Sequence, residues 1–258
     1  MRIISLNCNG IRAAARKGLF DWLPAQDADV VCLQEIKANA DQLAADPFYP
    51  DGYHVYLHSA EKKGYSGVAI YARREPDQVI HGLGWPDFDA EGRLIEARFG
   101  SLSVMSLYFP SGTSGTERQG VKERWMQDFL QHLRAWMDDD REYIICGDWN
   151  IAHRPLDLRN WRSNQKNSGF LPHEREWLDR VFGGVGWVDA YRALYPEREQ
   201  YTWWSNRGQA WDNNTGWRID YQVITPGLAP ELESATVYTS ERFSDHAPLT
   251  VDYRRSLA

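Results

Sequence analysis

The chain has few cysteines, no long apolar segment and no excess of positive charge. Its three cysteines, Cys8, Cys32 and Cys146, are an odd number and lack the CxxC spacing that is typical of metal and redox sites. We therefore predict three reduced thiols in the core rather than a disulfide framework.

Segments that would carry the chain to or across a membrane are also lacking. No apolar run approaches the roughly 20 residues that a membrane helix needs. The amino terminus, MRIISLNCNG, has neither the basic region nor the cleavage pattern of a signal peptide. The sequence therefore predicts a cytoplasmic protein without a membrane partner.

The charge balance argues, by itself, against a nucleic-acid-binding protein. The net charge is -7, whereas nucleic-acid binders usually have a basic balance. Net charge is a sum, however, and a metal-dependent nuclease concentrates carboxylates at its centre with lysines and arginines around them. The 12 tryptophans are the unusual feature, because so many leave aromatic surface available for stacking.

The organisation of the chain favours one domain over residues 1 to 258. Glycine, proline and serine are scattered, and there is no linker or low-complexity segment. We expect a monomer without an obligate protein partner.

Short β-rich runs recur along the chain, and several are continuously apolar, which is typical of strands covered on both faces. Ten strands are predicted, at residues 2–8, 28–34, 52–58, 66–72, 93–99, 102–108, 142–148, 218–225, 234–240 and 247–253. Apolar positions at helical spacing predict one helix over residues 117–137, and a second begins at Pro172 and ends near residue 182. These elements indicate an α/β sandwich of two packed sheets with helices outside.

Polar residues stand at the edges of five predicted strands. They are Asn7, Glu35, Asp148, Asp220 and the pair Asp245 and His246. Because residues two apart in an extended chain point the same way, we expect Asp148 and Asn150 to share one site, as do Asn7 and Asn9, while Trp149 turns away.

If the strand ends converge, they form a cleft rich in oxygen ligands with one imidazole and no cysteine. Such a set suits Mg²⁺, and phosphoester hydrolysis is the reaction class that it favours. The alternative for Asp148 and Asn150 is a simple turn, in which such side chains bond their own backbone, and Asp245 could equally begin a turn.

Five segments resemble the exonuclease III family of apurinic/apyrimidinic endonucleases, within the endonuclease, exonuclease and phosphatase superfamily. They are NCNGIR (7–12), LQEIK (33–37), GDWNIAH (147–153), GWRIDY (216–221) and SDHAPL (244–249). The resemblance implies a four-layer α/β sandwich with two mixed sheets. It also implies Mg²⁺-dependent cleavage of duplex DNA 5′ to abasic sites, with Mn²⁺ able to substitute, and 3′ to 5′ exonuclease and 3′-end-cleaning activity.

The resemblance also implies residue roles. Glu35 corresponds to the principal metal ligand, assisted by Asn7 and Asn9, while Asp245 corresponds to a second metal ligand or to a group that tunes His246. The catalytic residues that it implies are Asp148 for the attacking water, Asn150 to position that water, the hydrogen-bonded pair Asp220 and His246, and Tyr108 for a phosphate oxygen. Whether Asp148 or a metal-bound hydroxide is the base stays open.

Substrate-binding residues follow from the same resemblance. The abasic pocket corresponds to Trp203, Trp217 and Ile219, for which core packing is the competing explanation. The predicted contacts to the DNA backbone are Asn164, Asn167, Lys122, Arg159 and Lys166, and for the isolated basic residues a merely solvated role is the alternative.

Two other functions compete with the nuclease. One is non-catalytic, RNA-linked regulation. The catabolite repression control proteins that perform it share much of this sequence but have lost catalytic residues, whereas Glu35, Asp148 and His246 are present here. The segment DLRNWRSNQKNSGFLPHERE (157–176) narrows the resemblance to the DNA-repair branch of the superfamily. A superfamily phosphatase acting on lipids or inositol phosphates would use neither this segment nor the tryptophan pocket.

Overall fold

The computed structural model describes residues 1–44 and 47–257. Its strands are β1 (Arg2–Asn7), β2 (Val30–Gln34), β3 (His54–His58), β4 (Val68–Ala72), β5 (Gln78–His81), β6 (Leu94–Phe99), β7 (Leu102–Tyr108), β8 (Glu142–Asp148), β9 (Val188–Asp189), β10 (Trp203–Trp204), β11 (Gly216–Trp217), β12 (Asp220–Ile224), β13 (Leu232–Val237) and β14 (Leu249–Tyr253). Its α-helices are α1 (Ile11–Arg16), α2 (Leu19–Trp22), α3 (Pro86–Ala90), α4 (Thr116–Met137), α5 (Trp161–Asn164), α6 (Pro172–Asp179) and α7 (Ala190–Leu194).

Twelve of these strands form two mixed six-stranded sheets. The first has the order β13-β14-β1-β2-β4-β3, and the second has the order β5-β6-β7-β8-β12-β9. Each sheet has one parallel pair near its centre, β1 with β2 and β7 with β8, while the neighbouring pairs are antiparallel. Strands β10 and β11 pair as a separate short ribbon.

The two sheets pack face to face through a shared apolar core. Ile3 and Cys32 of the first sheet belong to the same buried cluster as Ile144 and Cys146 of the second. Strands β2 and β4 are buried at every position, which agrees with their continuous apolar sequences.

Helices cover the outer face of each sheet. Phe129 of α4 and Trp177 of α6 pack in a cluster with the outer side chains of β7 and β8, and α1 and α2 cover the first sheet. The predicted α/β sandwich with four layers is therefore confirmed. No helix of the described residues is long and apolar enough to cross a membrane.

All ten predicted strands form, with shifted ends, and four short strands were missed. Strand β5 has partly exposed positions and lies at a sheet edge, while β9, β10 and β11 have two residues each, too few to show a pattern. The helix predicted from Pro172 ends at Asp179 and continues as a π-helical turn. The prediction for the cysteines is confirmed, because all three are buried free thiols.

Candidate active site

The chemistry-bearing residues converge at one end of the two packed sheets. Strand β8 lies between β7, to which it is parallel, and β12, to which it is antiparallel. Asp148, the last residue of β8, therefore pairs in register with Tyr108, the last residue of β7, and with Asp220, the first residue of β12. The end of one strand, the end of a second and the start of a third meet at Asp148.

A cleft of about 700 Å³ opens over this meeting point. Most of the predicted site residues line it: Glu35, Tyr108, Asp148, Asn150, Asn164, Lys166, Asn167, Trp203, Trp217, Ile219, Asp245 and His246. Asn7, Asn9, Asp220, Lys122 and Arg159 lie outside the lining.

Gly147 allows β8 to approach β7 closely. Its φ is 155°, and a Cβ atom at this position would lie 1.8 Å from the backbone oxygen of Leu107. Any side chain here would force the two strands apart, so glycine fixes the position of Asp148 beside β7.

Asp148 is buried and both of its oxygens accept hydrogen bonds. Oδ2 accepts from Nδ2 of Asn7 at 2.9 Å, and Oδ1 accepts from the backbone N–H of Asn150 at 2.8 Å. Burial raises the pKa of Asp148 to about 7. The charge of Asp220 also raises this pKa, whereas the charge of His246 lowers it. A carboxylate with such a pKa is suited to accept a proton near neutral pH.

The two Asn/Asp-x-Asn segments have the same local geometry. The N–H of Asn9 donates to Oδ1 of Asn7 at 2.9 Å, as Asn150 does to Asp148, and φ is positive at Asn9 (44°) and Asn150 (52°). The predicted shared orientation of Asp148 and Asn150 is correct, but its cause is this hydrogen-bonded turn and not an extended chain. Trp149 turns into the core as predicted and is fully buried.

His246 lies between two carboxylates. Its Nδ1 is 2.8 Å from Oδ2 of Asp220, and its Nε2 is 3.8 Å from Oδ2 of Asp148. Burial lowers the pKa of His246, but the charge of Asp220 and its hydrogen bond dominate, so the pKa rises to about 10. Thr202 fixes this arrangement, because its hydroxyl donates to Oδ2 of Asp220 at 2.6 Å.

The predicted metal ligands form a second oxygen-rich group beside this row. Nζ of Lys37 lies 3.2 Å from Oε1 of Glu35 and 2.5 Å from Oδ1 of Asn9. Nδ2 of Asn9 donates to Oδ1 of Asp245 at 3.0 Å. Burial raises the pKa of Asp245, but His246 and the hydrogen bonds that Asp245 accepts outweigh it and hold that pKa below its usual range.

The donor chemistry of the cleft fits a hard divalent cation. Asp148 and Asp220 offer carboxylate oxygens beside His246, and Glu35 and Asp245 add two further carboxylates that line the cleft. Oδ1 of Asp220 is buried and accepts no hydrogen bond from the described residues. No cysteine belongs to the lining formed by the described part of the chain, so the available donors are mainly oxygens, as Mg²⁺ prefers.

An aromatic wall closes one side of the cleft. Trp203 pairs with Trp217 across the β10–β11 ribbon, with ring centroids 6.2 Å apart and an interplanar angle of 82°. Both rings are partly exposed, and Ile219 lies beside them. Nε1 of Trp203 donates to Oδ2 of Asp245 at 3.1 Å, which ties the wall to the acidic group.

Comparison with known proteins agrees with this geometry. Residues 4–246 match the Endonuclease/Exonuclease/phosphatase family. The chain belongs to this family. It is 42% identical over 251 residues to an exodeoxyribonuclease of Bacillus subtilis, a match that covers 96% of this chain and 98% of the relative.

Two further matches place the chain within the family. It is 38% identical over 256 residues to the DNA repair nuclease APEX1 of Danio rerio, covering 97% of this chain and 81% of the relative. The structure of an AP endonuclease from Archaeoglobus fulgidus superposes with a TM-score of 0.90 at 28% identity, covering 98% of this chain and 99% of that one. The predicted membership of the exonuclease III family of apurinic/apyrimidinic endonucleases is confirmed.

Three of the five residues predicted to hold DNA lie together at the mouth of this family member's cleft. Asn164, Lys166 and Asn167 belong to one loop, in which Nδ2 of Asn167 donates to Oδ1 of Asn164 at 2.7 Å. Arg159 is exposed away from the lining and pairs with Glu199 at 3.1 Å.

The prediction that Lys122 contacts the DNA backbone is wrong for this arrangement. Its side chain is 0% exposed, and Nζ donates to Oε1 of Glu174 at 2.6 Å and to the backbone oxygen of Asn150 at 2.9 Å. The sequence contains a signal that identifies it as buried. Lys122 stands three, four and seven residues before Trp125, Met126 and Phe129, on the apolar stripe of α4.

Other residues of the cleft were not predicted. Lys37 is near Glu35 in the quoted LQEIK segment, so sequence proximity could have suggested it. Thr202 approaches Asp220 only through the packing of separate strands, and no sequence pattern indicates that contact. The loop that follows β7 adds Gly112 and Thr113, and its Gly-, Ser- and Thr-rich sequence after a strand end was an available signal. Gln119, near the start of α4, also lines the cleft.

Proposed function

We propose that the chain is a Mg²⁺-dependent DNA-repair nuclease. It hydrolyses the phosphodiester on the 5′ side of abasic sites in duplex DNA, and it also removes nucleotides and blocking groups from 3′ ends. The observation that carries this proposal is the row of Asp148, His246 and Asp220 at the base of a cleft with an aromatic wall.

The attacking water is held by Asp148 and Asn150. Nδ2 of Asn150 donates to the backbone oxygen of Phe109 at 2.8 Å, so the amide group is fixed by β7. Its Oδ1 is then available to accept a hydrogen bond from water, while Asp148 accepts or orients the proton. Attack on phosphorus breaks the bond to O3′ of the preceding nucleotide and leaves a 3′ hydroxyl. General-base assistance of this kind contributes roughly 10²- to 10⁴-fold to the rate.

Positive and donor groups stabilise the charge that develops on the phosphate. The high pKa of His246 keeps its imidazole protonated, and Asp220 fixes the ring so that Nε2 faces the cleft. Burial, with Glu35 adding to it, raises the pKa of Tyr108 well above its usual range, so this phenol keeps its proton and can donate to a phosphate oxygen.

The cation is held by the acidic group beside this row. Glu35 and Asp245 supply carboxylates facing the cleft, and Asn7 and Asn9 support them with amide groups. A divalent cation held there, Mg²⁺ or Mn²⁺, would supply positive charge to the phosphate.

Selectivity for an abasic nucleotide comes from the aromatic wall. Trp203, Trp217 and Ile219 offer a mainly apolar surface to a sugar turned out of the helix. Asn164, Lys166 and Asn167 lie at the mouth of the cleft, where contacts to phosphates would orient the duplex.

One assay tests the proposal. A labelled duplex with a single abasic analogue is incubated with the protein in Mg²⁺ or in EDTA, beside undamaged duplex, RNA and an inositol phosphate. We expect the abasic duplex to be cleaved in the Mg²⁺ sample and to stay uncut in the EDTA sample. Equal cleavage in EDTA would refute the role of the metal. RNA binding without cleavage, or release of inorganic phosphate from the inositol phosphate, would favour the competing functions.

A further inference from the structure

An ion pair lies beneath the cleft, fully removed from solvent. Lys122 of α4 and Glu174 of α6 are each 0% exposed, with Nζ and Oε1 2.6 Å apart. Each lies on the inward-facing apolar stripe of its helix. Glu174 stands three, four and seven residues before the buried residues Trp177, Leu178 and Val181. Burial of two charges is unfavourable, and such pairs are often replaceable by apolar residues without loss of stability.

Nε2 of Gln119 in α4 also donates to Oε1 of Glu174 at 3.1 Å, and the other hydrogen bonds of the pair reach two segments of the cleft. Nζ of Lys122 donates to the backbone oxygen of Asn150 at 2.9 Å. Oε2 of Glu174 accepts from the backbone N–H groups of Gly169 at 2.7 Å and of Leu171 at 3.0 Å. One salt bridge thus connects Asn150, two residues beyond the strand end at Asp148, with the segment that follows α5 and includes Asn167.

The two segments also contact each other. A Cβ atom on Gly169 would lie 3.1 Å from the backbone oxygen of Asn150 and 3.3 Å from the ring of Trp217. Asn150 has a positive φ of 52°, a backbone conformation that non-glycine residues adopt at some cost and that surrounding contacts must maintain. Lys122 supplies such a contact directly at its carbonyl oxygen.

We propose that Lys122 and Glu174 are positioning residues for strand cleavage. Lys122 holds Asn150 in the orientation that places its amide beside Asp148, and Glu174 holds the loop at residues 164–171 against the aromatic wall. This inference rests on the proposed function, but the contacts that carry it are independent of the metal.

Because Lys122 contacts Asn150 and Glu174 contacts the segment at Gly169 and Leu171, substitutions of the two residues should change different kinetic constants. Lys122→Met removes the donor to Asn150 and leaves the loop amides bonded to Glu174. We expect kcat on the abasic duplex to fall at least tenfold while KM changes less than twofold. Glu174→Leu removes the acceptor of the N–H groups of Gly169 and Leu171, so we expect KM to rise at least fivefold. The double variant, which leaves no unpaired charge, should show both effects.

A matched control separates positioning from stability. Arg98 pairs with Glu96 at 2.6 Å, and Glu96 is 4% exposed, but this pair lies outside the cleft. We expect Arg98→Met to leave kcat and KM per folded molecule unchanged. If the Lys122 and Glu174 variants, folded by circular dichroism, keep wild-type kcat and KM, the inference is refuted.

Hydrogen exchange provides a readout that does not depend on cleavage. In Glu174→Leu, which removes their acceptor, the amides of Gly169 and Leu171 should exchange at least tenfold faster than in the wild type, while they stay protected in Arg98→Met. Unchanged exchange would overturn the role of Glu174. Failure of the wild-type chain to cleave would refute the proposed function, whereas the exchange result would still decide whether the ion pair holds the loop.

Discussion

Nε2 of His246 lies 3.8 Å from Oδ2 of Asp148, and both side chains are almost completely buried. The antiparallel register of β8 with β12 produces this relationship, because it places Asp148 opposite Asp220, which holds the other ring nitrogen of His246. A carboxylate, an imidazole and a second carboxylate thus form one row across the strand pair. The row links a group able to take a proton to a group able to stabilise negative charge.

The first prediction concerns Asp148. Asp148→Asn removes the proton acceptor but retains a side chain of the same size that can still accept from the N–H of Asn150. We expect the single-turnover rate on an abasic duplex to fall by roughly 10²- to 10⁴-fold. The dissociation constant for the same duplex, measured in EDTA by fluorescence anisotropy, should stay within about threefold of the wild type because the cleft is otherwise intact. Loss of binding together with cleavage, in a folded variant, would show that Asp148 acts in substrate binding.

The second prediction concerns the aromatic wall. Trp217→Ala removes apolar surface beside Trp203, and pocket contacts of this kind contribute about 1–3 kcal/mol to discrimination. We expect the ratio of kcat/KM for abasic over undamaged duplex to fall at least roughly tenfold. Trp85 packs on Phe88 outside the cleft, so Trp85→Ala is the control and should leave the ratio unchanged. An unchanged ratio in Trp217→Ala would assign this ring to packing alone.

The third prediction concerns the glycine beside the catalytic strand end. A Cβ atom at Gly147 would overlap the backbone oxygen of Leu107, so Gly147→Ala should lower the free energy of unfolding by at least about 2 kcal/mol. Gly120 lies within α4 with open space around its Cα, and Gly120→Ala should instead stabilise by about 0.5–1 kcal/mol. Urea denaturation measures both. Equal stabilities would show that β7 and β8 adjust without strain.

The fourth prediction concerns the pH dependence of stability. Oδ1 of the buried Asp157 lies 2.8 Å from Nε of Arg218 and 2.5 Å from Nη2 of Arg192. Burial by itself would raise the pKa of Asp157, but the two guanidinium groups outweigh it and hold this pKa well below its usual range. A lowered folded pKa gives stability that is complete above the ordinary value of about 3.9 and is lost as pH falls through the folded value. Asp157→Asn should therefore destabilise by about 3–5 kcal/mol at pH 7.

The difference between wild type and Asp157→Asn should shrink as the pH falls below about 4, because the wild-type carboxylate is then being protonated on unfolding. Asp252→Asn is a suitable comparison. Oδ1 of Asp252 lies 2.8 Å from Nε of Arg2, and because this ion pair is partly exposed it should contribute about 1 kcal/mol or less to the free energy of unfolding. A pH-independent difference would contradict the linkage.

The sequence predicts the sheets and the strand-end residues well because burial determines both. A continuously apolar run such as residues 143 to 146 can only be stable inside the sandwich, and the polar residues that follow must then lie at its edge. The missed strands β5 and β9 are at the edge of their sheet, where exposure or shortness removes the pattern. Local sequence does not predict such short edge strands, because they form only by hydrogen bonding to the strand beside them in the sheet.

The candidate site was less predictable where charge and burial conflict. The family resemblance implied that Lys122 contacts the DNA backbone, and only its position on the apolar stripe of α4 indicates that it is buried. Thr202 and Asp220 are 18 residues apart and meet through tertiary packing, so their hydrogen bond has no local signature. The placement of strand-end residues at the cleft can thus be predicted from sequence more readily than the contacts that support them.

The most direct measurement is the position of the cut in a duplex that carries one abasic analogue and a label at the 5′ end of the damaged strand. We predict, in Mg²⁺, a single early product that ends with a 3′ hydroxyl at the nucleotide immediately before the analogue, and no product in EDTA. An uncut strand, or a cut whose position is unrelated to the analogue, would contradict the account.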